Sequence, residues 1–370
     1  MLPVSTSVSG LDHGHLDAVL REVVETLAAI DRTPCSPGER QAAEWLAARF
    51  SEVGQLSVSL EEEPSWGTFP PNATGLGLLG VAGALLVLAG RRAAGAMVAA
   101  ASFAGVVDEV QNGPRVLRRL VRRRRTTVNL VARTGGRPLE GALRENGGGA
   151  PESDTLVVLA HHDAPQTGVL FDQTLQRRLY ELAPQLIERT RTAPPQWWLG
   201  LAGPLCTLAA SVGRRRRLAL AGLAIGGVAS ALVADMWSSP TVPGANDNLS
   251  GVAALVGLAE MLRRRPVANL RVLLVSCGAE ETLLRDLLGA QAERLGIALE
   301  RGFRARTSTD SVIPARAGYP TATLVSMTDW RSPANYHQPS DVPANLDYDT
   351  VLDAARLVYE LALELAPAGR

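Results

Sequence analysis

Apolar residues run along this chain in two patterns that predict different elements. In the first, every helical face is apolar: residues 74–90, 93–107, 197–213 and 218–237 are runs of Leu, Val, Ala and Gly with almost no charge. Only Arg91-Arg92 separates the first two, and only Arg214 to Arg217 separates the last two. Each pair therefore predicts a helical hairpin with a charged tip. A helix that is hydrophobic all round belongs in a core or in a bilayer. Four adjacent guanidinium groups need water or lipid phosphate and are hard to bury, which favours the bilayer. A run of 17 residues, such as 74–90, spans roughly 25 Å as a helix against a hydrocarbon layer of ~30 Å, and the run at 218–237 is long enough to cross it. Trp197, Trp198 and Trp237 stand at the open ends of the second hairpin, where an interfacial aromatic belt places them.

In the second pattern, helical and strand signatures alternate. Residues 16–30 repeat apolar positions at helical spacing, and Ser36-Pro37-Gly38-Glu39 is a capping box with proline at the first helical position, opening a helix to about Phe50. Strands are predicted at 56–60, 128–132, 155–160, 269–276 and 321–326. The last four are short continuous apolar runs, as expected for strands covered on both faces. Helices follow at about 250–264, 283–295 and 349–365. Together these predict an α/β fold, a three-layer sandwich on a mainly parallel mixed sheet. It forms a single domain over 1–370, with helical hairpins inserted at 74–107 and 197–237. Both hairpins start and finish on the same side, so the rest of the chain can remain one continuous unit.

Charge and cysteine content narrow the function. The chain holds 37 basic and 37 acidic residues, unlike the strongly basic domain of a nucleic-acid binder. Every basic residue is arginine, which excludes a lysine Schiff base or a phosphate-binding loop lysine. Cys35, Cys206 and Cys277 lie far apart and form no thiolate zinc knuckle, which fits a reducing compartment. The first 30 residues lack the basic-then-apolar order of a secretory signal. Six arginines sit at the hairpin tips, while Arg115, Arg118, Arg119 and Arg122 to Arg125 cluster directly after the first hairpin. The cluster suggests contact with anionic headgroups, and the positive-inside rule places the main domain of this integral membrane protein on the cytoplasmic side.

In sheets of this kind ligands bind beyond the carboxyl ends of the strands. His161-His162-Asp163 follows one predicted strand, Cys277-Gly278-Ala279-Glu280-Glu281 another, and Asn335-Tyr336-His337-Gln338-Pro339-Ser340-Asp341 a third. Gly244-Ala245-Asn246-Asp247-Asn248 precedes a helix. Imidazole and carboxylate donors without thiolate suit a borderline divalent metal, zinc first. In His161-x-Asp163 the spacer lets the histidine face the metal while the aspartate holds its other ring nitrogen. A Glu-Glu pair can divide labour, one carboxylate ligating and its neighbour acting as general base. Asp247, at a helix start, offers two oxygens that can bridge two metals.

These four blocks resemble the signatures of the M28 co-catalytic zinc aminopeptidases. The resemblance implies His161, Asp247, Glu281 and His337 as metal ligands, with Asp247 bridging. It also implies Glu280 as general base, Asp163 as the group orienting His161, and one or two zinc ions as cofactor; His162 falls at a spacer position. The family adds a fifth ligand, an aspartate ending a further strand between the Glu-Glu block and the last histidine. Here no apolar run ending in aspartate fits there: Asp286 lies in a predicted helix, and Asp310 matches a later family segment. One metal thus keeps Asp247, Glu281 and His337, and its partner only His161 and the shared Asp247. The expected function is a membrane-anchored zinc exopeptidase acting on peptide N-termini, with a peptide as substrate and the bilayer as the hairpins' partner. The alternatives are a catalytically silent membrane scaffold on the peptidase fold and a glutaminyl-cyclase-like zinc enzyme.

Overall fold

The computed structural model describes residues 13–110, 115–134, 155–189, 198–268, 270–278 and 318–366, with positions 295, 297, 314 and 315. The chain opens on α1 (His13–Ala28), whose Leu16, Val19, Leu20, Val23, Val24 and Leu27 form one buried stripe. Next, α2 (Pro37–Val53) is capped by Ser36, whose Oγ accepts from the Glu39 N–H at 3.1 Å. The return half of the capping box closes elsewhere. The buried Glu39 carboxylate accepts from the Cys35 N–H, from the Thr127 hydroxyl, and from the Val128 N–H at 3.2 Å. The cap of α2 is thereby tied to the sheet.

Among the described residues the sheet has four strands, β1 (Leu56–Ser65), β2 (Arg125–Thr134), β3 (Thr155–His161) and β4 (Arg271–Cys277), in the order β1-β2-β4-β3. It is mixed, but the mainly parallel layout expected from sequence does not hold among the described residues. β3 runs parallel to β4, with Leu159 opposite Val275. β2 is antiparallel to both β1 and β4, with Leu60 opposite Leu130 and Ala132 opposite Leu274. Continuous apolar runs report burial, not direction. Between β1 and β2 the chain passes through the first helical hairpin, which returns it beside its exit point, so β2 runs back along β1. Residues 321–326, expected as a further strand, form no ladder among the described residues. There Ala322 and Leu324 pack on Leu357 and Leu361, so their apolar character serves a helix contact.

Helices α2 and α10 (Ser250–Arg264) pack on the strands, and α1 and α11 (Tyr348–Leu365) pack on α10. Leu130, Ala132, Leu156, Ala160, Val272 and Leu274 from the strands meet Leu20, Leu46, Phe50, Val252, Val256 and Leu352 from the helices in one core. The predicted helix at 283–295 lies, apart from Leu295, outside the described residues.

The four apolar runs form α3 (Pro70–Leu88), α4 (Arg92–Val110), α8 (Trp198–Gly213) and α9 (Arg216–Ser238), which pack chiefly on one another as a bundle. Three of them, α3, α4 and α9, are long and apolar enough to cross a membrane, and α8 is shorter. The bundle interior is built from small residues, so backbones approach closely. A Cβ added to Gly95 would stand 2.7 Å from the Gly83 carbonyl, and one on Gly203 2.9 Å from the Gly226 nitrogen. The described residues also include the short connecting helices α5 (Val116–Val121), α6 (Thr174–Leu182) and α7 (Pro184–Glu188).

Candidate metal centre

Three loops meet at the carboxyl end of β3. His161 is its last residue, Asp247 lies in the turn before α10, and His337 lies in the loop before α11. Asp247 receives one imidazole on each carboxylate oxygen: His161 Nε2 lies 3.3 Å from Oδ1, and His337 Nε2 lies 3.1 Å from Oδ2. Behind His161, Nδ1 lies 3.3 Å from both a carboxylate oxygen and the backbone carbonyl of Asp163. His161, Asp247 and His337 are all buried.

The electrostatics follow from that burial. Desolvation opposes a charge on His161, yet Asp163 and Asp247 together outweigh it and hold the imidazole well above its usual range. Burial likewise disfavours the Asp247 carboxylate, but His161 and His337 pull it well below the ordinary carboxylate range. His162 behaves differently. Its Nδ1 meets the Ser276 hydroxyl at 2.9 Å inside the fold, and burial pushes its pKa down to about 4. It is a neutral packing residue and does not face Asp247.

The turn that presents Asp247 is held from beneath. The Asp341 carboxylate accepts from the Asn246 N–H at 2.6 Å, from the Asn246 side-chain amide at 2.8 Å and from the Asp247 N–H at 3.2 Å. Asp341 is fully buried, which raises its pKa to about 6. Gly244 opens the turn at φ +66, and a Cβ there would stand 2.7 Å from the Asp247 carbonyl, so only glycine fits without strain. The Asp247–Asn248 peptide is cis. Arg32 is the second support. Its fully buried guanidinium donates to the carbonyls of His162 and Pro243, both at 2.7 Å, and of Leu27. It thus joins the α1–α2 connection to the two loops carrying His161 and Asp247.

The His337 loop is shaped by its backbone. Arg331, Asn335 and His337 have φ of 62, 55 and 53, a left-handed conformation uncommon for residues with a side chain and typical of sites where the surroundings fix it. The Phe171 and Tyr336 rings each lie 4.1 Å from the His337 ring. Neither Arg32 nor Phe171 carries a sequence signal. Asp341 closes the Tyr336-His337-Gln338-Pro339-Ser340-Asp341 block, but nothing in its spacing announces that it holds a backbone turn.

Glu280 and Glu281, the expected base and ligand, lie outside the described residues. Among the described residues no set of three or more His, Cys, Asp or Glu side chains stands ready to hold a metal ion. What is present fits a cation in type: two imidazoles and a shared carboxylate, all oxygen and nitrogen donors suited to zinc. His161 Nε2 is buried and makes no well-directed hydrogen bond despite its closeness to Asp247. With Nε2 unprotonated, its lone pair faces a carboxylate oxygen at 3.3 Å, an arrangement that a divalent ion held by both would relieve.

The sequence of residues 232–295 matches peptidase family M28. No curated relative matches the chain. Among solved structures it is similar to an aminopeptidase from Aneurinibacillus sp. strain AM-1, with 11% identity over 96% of this chain and 95% of that one, at a TM-score of 0.46. A Zn-dependent exopeptidase from Parabacteroides distasonis gives 10%, 94%, 97% and 0.47 in the same order. The corresponding values for a glutaminyl cyclase from Bacteroides thetaiotaomicron are 12%, 95%, 97% and 0.48. The segment that matches peptidase family M28 begins inside α9 and runs through the Asp247 turn, α10 and β4 to the Glu280-Glu281 pair and beyond.

Proposed function

We propose that this protein is a membrane-anchored zinc exopeptidase that removes residues from peptide N-termini. The observation that carries the reading is the Asp247 carboxylate with one imidazole nitrogen on each oxygen. In this reading His161, Asp247 and His337 hold the metal, Asp247 is shared, and the resemblance adds Glu281 as ligand and Glu280 as general base. When bound, zinc supplies a Lewis acid that polarises the scissile carbonyl. Asp163 fixes the ring of His161 through Nδ1, leaving Nε2 for the metal. Asp341 holds the Asn246–Asp247 backbone, so the shared carboxylate is aimed before any ligand arrives. Glu280 takes the proton of the attacking water. A single α/β domain carrying hairpins at 74–107 and 197–237, with its main part on the cytoplasmic side, completes the proposal.

The test is zinc stoichiometry of the full chain purified from membranes, alongside turnover of a panel of aminoacyl substrates before and after chelation. Bound zinc with chelator-sensitive release of N-terminal residues supports the reading. With one histidine and one shared aspartate, the His161 side lacks the three protein ligands usual for catalytic zinc, so one tightly held ion per chain is expected. Glu280→Gln should then abolish turnover and leave zinc bound. Zinc without turnover of any substrate would make the chain a silent scaffold, and cyclisation of an N-terminal Gln peptide would make it a cyclase.

A further inference from the structure

The helix α6 is unexplained by the metal centre or the core. None of its residues is buried. Leu175, Leu179 and Leu182 recur at the spacing of one helical face, and Leu175 and Leu182 are 79% and 84% exposed. Val169 before α6 and Leu186 on α7 are exposed as well. Arg177 and Glu181 occupy the opposite face, and Arg178 flanks the leucines, where a long stem can run along apolar surface and keep its charge in water.

The position of α6 identifies what covers this stripe. The segment leading into it is fastened to the end of α9. The Gln166 side-chain amide donates to the carbonyls of Trp237 at 3.2 Å and Ser239 at 3.3 Å, and the Val169 N–H donates to the Asp235 carboxylate at 2.8 Å. That end of the α8–α9 pair carries Trp198 and Trp237, both exposed. The leucines of α6 therefore start from the same end of the bundle as the two tryptophans. The other side of α6 grips the loop that carries His337. Gln176 donates to the Trp330 carbonyl at 2.6 Å, Gln173 donates to the Pro333 carbonyl at 3.1 Å, and the Trp330 indole donates back to Gln173 at 2.8 Å.

We propose that α6, with Leu186 of α7, lies in the headgroup–acyl boundary of the membrane that the bundle spans, and so seats the His337 loop at the membrane surface. An amphipathic helix of this kind buries its apolar side shallowly in lipid, and continuity with the bundle makes lipid the occupant. The proposal rests on the membrane reading of α3, α4 and α9, and its test separates the two. The wild-type chain is reconstituted in vesicles of phosphatidylcholine and phosphatidylglycerol containing a phosphatidylcholine with a diazirine in its acyl chain. After photolysis, adducts are mapped by mass spectrometry. Adducts should fall on the peptides spanning 169–189 and on outward bundle positions such as Leu85 and Leu220, several-fold above the exposed face of α1. In the Leu175→Gln/Leu179→Gln/Leu182→Gln variant the labelling of 169–189 should drop several-fold while the bundle stays labelled. Adducts on the bundle and none on 169–189 would overturn this inference alone, placing α6 in water or against protein. Adducts on neither would overturn the membrane reading itself.

Discussion

In the α/β unit the large side chains point inward: Leu16, Leu20, Leu46, Phe50 and Leu255 are buried between helices and sheet. In the bundle the arrangement is reversed. Gly83, Gly95, Ala99, Gly203 and Ala229 line its interior, while Leu78, Leu85, Met97, Leu205, Leu220 and Val228 face outward. The difference is the one expected if, as proposed, the bundle folds against lipid and the α/β unit against water. In water, burying apolar area drives folding, so the largest side chains go inside. In lipid that drive between helices vanishes, and close backbone packing with a few interhelical hydrogen bonds takes over. The Ser102 hydroxyl donating to the Leu76 carbonyl at 2.7 Å is such a bond.

The comparison can be broken in several places. Leu20→Ala, at a position with no exposed surface, should cost about 2–5 kcal/mol through lost burial and a residual cavity; thermal or denaturant unfolding of the α/β unit would show it. Gly95→Leu attacks the other packing rule. Its Cβ has no room between the Gly83 carbonyl and Val87, so overpacking should destabilise the bundle by about 1–3 kcal/mol, read as earlier thermal aggregation in detergent. Asp341→Ala releases the Asn246–Asp247 turn, and because supports of metal ligands typically matter this much, zinc affinity by chelator competition should fall about 10–100-fold. Unchanged affinity would remove Asp341 as a positioning residue.

Two smaller effects sharpen the contrast. Ser102→Ala deletes an interhelical hydrogen bond, and the average for such bonds in membrane proteins suggests a loss of about 0.6 kcal/mol. Leu78→Ala removes an outward leucine, and because that residue faces lipid in this reading, stability in vesicles should change by less than about 0.5 kcal/mol. A loss at Leu78 as large as that at Leu20 would mean that the outer face of the bundle is packed against protein.

Elements whose signals are local were legible in the chain. The capping box at Ser36 places the start of α2, arginine pairs and runs mark the hairpin tips, and all-round apolar runs locate α3, α4, α8 and α9, though not their exact ends, because helix periodicity, capping and charge act within a few residues. Tertiary structure decided what depends on distant partners. The direction of β2 is set by the strand it meets and not by its own apolar residues, and Ala322 and Leu324 in the apolar run 321–326 pack on α11. The histidines and aspartate could be singled out by residue type. That His161 and His337 meet opposite oxygens of one carboxylate, that Asp341 holds the turn presenting it, and that the buried Arg32 binds two of the loops together are results of chain crossings over 86 or more positions. Short-range sequence patterns carry no information about which residues such crossings bring together; only the packed core fixes them.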